Sequence, residues 1–222
     1  MTTFTIRRAL SLLLAAVIAA VTLAAAPAAG AAQARVVGVR EISPRVSLVS
    51  VYSPAMKRVV SSHVLHPAGK PAGLPSFYLL PGAGGAEDGI SWYNHGGVKQ
   101  FFAGKRVNVV LPIGGRFSMM TDWQRRDPLL GVNEWQSFFT RELPEAIDRT
   151  FRTSGVNALG GMFGGNVLEA IALSCTTNMS NKLRSLGIGH RFNHRPDGTH
   201  SWGLFAADMR LSWPMIARAI GA

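Results

Sequence analysis

Residues Gly160-Gly161-Met162-Phe163-Gly164-Gly165 follow a short apolar run and open a helical pattern. This is the setting and glycine spacing of a G-x-S-x-G turn. In such a turn a serine sits on a tight strand-to-helix bend, with its hydroxyl exposed for attack on an acyl group. Met162 stands where the serine belongs. A thioether has no proton to give up and cannot be activated as an acyl-transfer nucleophile. No G-x-S-x-G occurs anywhere in the chain. His200, in Asp197-Gly198-Thr199-His200-Ser201-Trp202, is a candidate general base. An imidazole can take a hydroxyl proton near neutral pH and return it to a leaving group.

The third member of such a site, an acid, comes between the serine and the histidine in this chemistry. The 37 residues from 163 to 199 contain only two carboxylates, Glu169 and Asp197. Glu169 falls on a helical pattern, where a solvated or helix-paired charge is the ordinary role. Asp197 precedes His200 by three residues in a turn that it more plausibly shapes. Neither is assigned as the acid. The interval is also short. It would have to hold the elbow helix, an acid-bearing strand, another crossover and the histidine loop, and a single βαβ unit takes about 30 residues.

Other side chains of chemical interest lead nowhere specific. His63-x-x-His66 lies on a strand, where the two rings point to opposite faces, so no metal site is expected there. His190-x-x-x-His194 would share a face only in a helix, which Pro196 and the neighbouring glycines oppose. Gly82, Gly84 and Gly85 are not followed by Gly-Lys-Ser/Thr, so no phosphate loop is expected, and no cofactor. Cys175 is the single cysteine. It excludes an internal disulfide, and a buried, inert thiol is its expected role.

The elements that must position the site follow from the apolar patterns. Val46–Tyr52 and Val59–Leu65 alternate as strands around a Ser53-Pro54-Ala55-Met56 turn. Phe77–Leu80 is a third strand, cut by Pro81-Gly82, and Val107–Leu111 is a continuous apolar run of the kind found in buried parallel strands. Glu134–Thr150 carries apolar residues near helical spacing, with Pro144 expected to kink or split it. Val156–Leu159 is a short strand before the glycine turn. Val167–Leu173 is expected to be helical, Asn181–Leu186 its end or a second helix, and Met209–Ala219 a terminal amphipathic helix. Strands alternating with helices predict an α/β domain with a mainly parallel sheet.

Residues 1–34 are expected to be a signal peptide and residues 35–222 a single domain. Arg7 and Arg8 precede an apolar stretch from Ala9 to Ala26, and Gly30-Ala31-Ala32 or Ala32-Gln33-Ala34 fits a small-residue cleavage site. Cleavage after Ala34 would remove those two arginines and no acid, taking the net charge from +11 to +9. Such a chain would be secreted or held in the cell envelope. Its charge favours association with anionic surfaces, acidic lipid or envelope polysaccharide among them. No nucleic-acid recognition motif is present.

Five segments, in order, resemble the mycolyltransferase (antigen 85) family of mycolic-acid bacteria, in its corynebacterial style. They are Val51-Tyr52-Ser53-Pro54-Ala55-Met56, the stretch Tyr78 to Gly85, Val109 to Trp123, Trp135 to Pro144, and Gly198 to Trp202. The resemblance implies an α/β-hydrolase fold and acyl transfer between trehalose mycolates and onto arabinogalactan through a serine triad. It implies that His200 is the general base, that the Ala83 amide belongs to the oxyanion hole, and that Ser201 and Trp202 line the sugar pocket. The family's elbow, of the form G-L-S-M-G-G, is degenerate here at Met162. Residues Gly165 to Leu173 also resemble a family segment lying after the acid. An internal deletion near residues 160–164 would therefore explain the missing serine, the missing acid and the short interval together. It predicts a sheet that has lost its middle strands and exposes an apolar edge. The alternatives to an impaired acyltransferase are a non-catalytic glycolipid- or polysaccharide-binding protein and a non-functional deletion product.

Overall fold

The computed structural model describes residues 33–161 and 201–222, together with positions 177, 180, 181, 184, 185 and 192. Ala34–Ala222 form one compact unit. Its centre is a six-stranded sheet of β1 (Arg35–Ser43), β2 (Val46–Ser53), β3 (Arg58–Leu65), β4 (Ser76–Leu79), β5 (Asn108–Ile113) and β6 (Asn157–Gly160). The strand order is β1-β2-β3-β5-β4-β6. β1, β2, β3 and β5 pair antiparallel in succession, and β4 pairs parallel with both β5 and β6. Thus β2, β4, β5 and β6 share one direction, and β1 and β3 run against them. This is a mixed, α/β-hydrolase-like arrangement, with β3 reversed between β2 and β5 and β1 reversed at the edge.

Successive residues of the central strands serve two cores, as the period-2 pleat requires. On one face Val49, Val51, Val60, Val64, Tyr78 and Val110 pack against Trp135, Phe138, Leu143 and Ile147. On the other, Phe77, Leu79, Val109 and Leu111 meet Trp92, Phe102, Met209 and Trp213. The first face is covered by a continuous helical stretch. It runs as α2 (Trp135–Ser137), a π-helical turn (Phe138–Glu142) and α3 (Leu143–Phe151). The second face is covered by α1 (Val98–Phe102) and the terminal α4 (Trp202–Ile220).

The expected strands at 46–52, 59–65, 77–80, 107–111 and 156–159 are all present, within a residue or two at their ends. β1 and α1 have no counterpart in the apolar pattern. The helical stretch is divided just before Pro144, by the π-helical turn that ends at Glu142. This places the proline in the first turn of α3, where its missing N–H is not needed. α4 begins at Trp202, seven residues before its expected start. The expected helices at 167–173 and 181–186 fall wholly or largely outside the described residues. Among the described residues, β6 has no strand on its outer side, and its Leu159 is 60% exposed.

Candidate functional site

The carboxyl ends of β4 and β6 lie side by side, because Leu79 is in register with Gly160. The Leu80 amide extends this pairing by donating to the Gly160 carbonyl at 2.8 Å. Pro81 cannot continue the ladder, and the chain turns at once, with the Gly85 amide donating to the Gly82 carbonyl at 2.9 Å. The loop is then clamped onto the end of β5. Gly114 donates to the Gly85 carbonyl at 2.7 Å and Phe117 to the Ala83 carbonyl at 2.9 Å. Only glycine permits this approach. Gly85 has φ +65°, and a β-carbon there would lie 2.6 Å from the Arg116 nitrogen and 2.8 Å from the Gly114 oxygen. At Gly114, φ +135°, a β-carbon would lie 2.4 Å from the Trp135 ring.

Ala83 is exposed at the top of this loop. Its carbonyl is engaged by Phe117, while its amide has no acceptor among the described residues. An amide fixed in this way, at the carboxyl end of a parallel strand, can donate to a ligand's carbonyl or oxyanion. One strand away, β6 carries the chain through Gly160 and Gly161 toward Met162. Met162 and His200 both lie outside the described residues, as do Glu169, Asp197, Cys175, His190 and His194.

Ser201 and Trp202 are described. Ser201 is the N-cap of α4, and its Oγ accepts from the Leu204 amide at 3.4 Å. That bond uses the hydroxyl oxygen as a helix cap, satisfying one of the otherwise orphaned amides of the first turn. Trp202 stacks on His95 with ring centroids 5.0 Å apart and meets Trp92 edge-on at 5.2 Å. Trp92 Nε1 in turn donates to the Leu80 carbonyl at 3.1 Å. The start of α4 is thereby joined, through Trp92, to the strand end that carries the Ala83 loop. Trp92 and His95 were not among the expected site residues. Only the tertiary contact across more than a hundred residues reveals them.

His63 lies on β3 and His66 just past its end, in separate environments. His63 stacks on Tyr93 at 3.8 Å, and burial, reinforced by Lys99 and Arg40, holds its pKa below the usual imidazole value. His66 lies by Phe151, with Nε2 3.0 Å from Ser47 Oγ and Nδ1 3.1 Å from the Pro67 carbonyl. A carbonyl can only accept, so Nδ1 carries the proton and Nε2 accepts from the serine. Burial lowers the pKa of His66 as well, with Lys70 acting in the same direction and the Pro67 bond and Glu41 opposing it. Among the described residues no cluster of three or more potential metal ligands exists.

Several motif segments hold one another in place. Glu142 accepts from the Ala55 amide at 2.9 Å and from the Ser53 hydroxyl, fixing the Ser53–Met56 turn. Asp122 accepts from the Ser137 amide at 2.9 Å and its hydroxyl at 2.7 Å. Trp135 packs under Gly114. Through Gly114, whose amide donates to the Gly85 carbonyl, Trp135 is the member of this set that supports the Ala83 loop.

No protein-family model matches the chain. It is 34% identical over 124 residues to the MPT51/MPB51 antigen of Mycobacterium tuberculosis, a match that covers 55% of this chain and 38% of that protein. It is 31% identical over 134 residues to the diacylglycerol acyltransferase/mycolyltransferase Ag85B of Mycolicibacterium smegmatis, covering 57% and 40%. It is 27% identical over 136 residues to Ag85A of Mycobacterium leprae, covering 58% and 39%. The chain thus spans about two fifths of the length of the curated relatives it matches. Among solved structures it is similar to an S-formylglutathione hydrolase from Agrobacterium tumefaciens, with 16% identity, a TM-score of 0.44 and coverage of 57% and 52%. Over about half its length, this chain is similar to the MPT51/MPB51 antigen and to the mycolyltransferases Ag85A and Ag85B.

Proposed function

We propose that this is an exported, catalytically impaired member of the mycolyltransferase family that retains glycolipid binding. Its ligand would be an ester-bearing glycolipid of the trehalose mycolate type, held at the Ala83 loop without efficient turnover. The observation that carries this reading is the adjacency of β4 and β6. The Leu80–Gly160 bond sets an ordered, available Ala83 amide beside the strand that leads to Met162. The oxyanion-type donor is kept, and the neighbouring nucleophile position holds a thioether. His200, one residue before the Ser201 cap, would then be a ligand-contacting group rather than a working base, and Trp202 would supply an aromatic wall for the sugar.

The test measures thermal unfolding and ester cleavage with trehalose monomycolate. Binding to the folded chain raises the midpoint by mass action, with about 2.7 kcal/mol of stabilisation at a hundred times Kd. Ester cleavage should stay near background, and Met162→Ser should restore little, since the triad acid is also lacking. Turnover abolished by His200→Ala would overturn the impairment. A midpoint indifferent to ligand would overturn the binding.

A second reading is favoured by one observation, the exposed apolar edge at Val156 and Leu159. It holds that the chain is an internally deleted product whose sheet has lost the strands that once covered β6. Absence of a cooperative unfolding transition would select it.

A further inference from the structure

Between β5 and α2 the chain makes a long excursion, Gly114–Asn133, beside the Ala83 loop. Its backbone is strained in an unusual way. Phe117, Met119 and Met120 all have φ of 56°, the left-handed region that bulky L-residues avoid. Two of these side chains are not buried in return for that strain: Phe117 is 61% exposed and Met119 55%. In the second half of the same excursion, Leu129 is 93% exposed at the tip of a turn closed by reciprocal Asp127 and Gly131 bonds. Trp123 ties the two halves together, its indole donating to the Ser118 carbonyl at 2.9 Å and its amide to the Asn133 carbonyl at 2.7 Å. The excursion is therefore a braced structure that holds large apolar side chains out into solvent.

Its charges are sorted as well. Arg116, Arg125 and Arg126 are exposed, and none makes an ion pair among the described residues. The two carboxylates are both engaged in local hydrogen bonds, although Asp122 is itself exposed. Asp122 is held by Ser137, and Asp127 accepts from the Leu129 and Leu130 amides at 2.8 Å each. Solvent thus meets apolar side chains interleaved with three arginines that make no ion pair among the described residues, while the carboxylates beside them are held by local hydrogen bonds. That combination suits the interface of an anionic bilayer, where apolar groups enter the headgroup region and arginines pair with lipid phosphates.

We propose that Gly114–Asn133 docks on an anionic lipid surface, with Phe117, Met119 and Leu129 inserted and Arg116, Arg125 and Arg126 on the headgroups. The Phe117 amide bonds the Ala83 carbonyl, so docking would bring the lipid surface to the Ala83 loop. This deepens the glycolipid-binding reading, but binding to plain phospholipid tests it separately.

The experiment places an environment-sensitive fluorophore on Leu129→Cys in a full-length Cys175→Ser background, with a control label at Leu211 on α4. Phosphatidylcholine vesicles with and without phosphatidylglycerol are added. The Leu129 probe should move to the blue and become shielded from an aqueous quencher on anionic vesicles, while the Leu211 probe stays accessible. Arg125→Gln and Arg126→Gln should each weaken the response roughly fivefold. Phe117→Asn with Met119→Asn should abolish insertion without loss of stability, because asparagine tolerates a positive φ. Vesicle binding with the Leu129 probe still open to quencher would overturn the proposal. So would equal insertion into neutral vesicles, or a probe response to soluble arabinogalactan or to protein concentration instead of lipid. Loss of the trehalose monomycolate shift with vesicle docking intact would refute the glycolipid reading alone.

Discussion

Gly85 carries both a positive φ and the closest backbone approach in the Ala83 loop. The conformation alone costs an ordinary L-residue about 1–3 kcal/mol, and the clash with the Arg116 and Gly114 backbone adds to it. Gly85→Ala should therefore lower stability by about 2 kcal/mol or more in urea and speed hydrogen exchange at the Phe117 amide, which closes the loop. An unchanged urea midpoint would mean the loop is not clamped as described. His66 gives a second prediction, from its lowered pKa. Below about pH 6.5 the unfolded chain takes up a proton that the folded ring resists. Stability is thus whole above that pH and falls as pH drops toward the depressed folded value. His63 acts in the same direction. His66→Gln should flatten the fall in urea midpoint between about pH 7 and about pH 5 without removing it. Equal slopes in the two proteins would show that burial of this ring has no such effect.

Among the elements, α4 matters most to the candidate site, because its first turn holds Trp202 against Trp92. Its anchor is Trp213, whose ring meets Phe102 at 4.9 Å and Phe77 at 5.9 Å. Trp213→Ala should cost roughly 3–5 kcal/mol and release the Trp202 contact with it. Ser201→Ala should cost about 1 kcal/mol or less, since the capping bond at 3.4 Å is long. Denaturation curves followed by tryptophan fluorescence separate the two, and similar losses would mean that Trp213 does not anchor the helix. The C-terminal half of α4 was legible from its amphipathic spacing. Its first two turns were not, because Gly203 weakens the helical pattern; the serine cap, the Trp202 stack and the burial of Ala206 and Met209 hold them. The central strands were legible because each core face repeats every second residue. β1 was not, being a largely exposed edge strand interrupted by Gly38, and α1, at five residues, is too short to show a period. At the site, the Ala83 loop was marked by its proline and glycines. The Leu80–Trp92–Trp202 chain was not, since no local pattern encodes contacts between distant rings.

At the scale of the whole molecule, the two edges of the sheet differ in a way that bears on association. β1 is long, but it carries Arg35, Arg40 and Glu41, and its register shifts twice against β2. Charges and bulges of this kind protect an edge from pairing with another chain. β6 has neither, and Val156 and Leu159 are 43% and 60% exposed. Two copies could pair there, opposed only by the repulsion between chains of net charge +11. Salt screens that repulsion without weakening apolar contact, so β6-mediated association should grow with salt, whereas docking on anionic lipid should fade with it. Sedimentation velocity should show a concentration-dependent dimer that strengthens in high salt and is lost in Leu159→Lys. A wild-type chain that stays monomeric at high concentration and high salt would mean that the outer side of β6 is covered in solution. The internal-deletion reading, which requires a vacant edge there, would then lose its structural support.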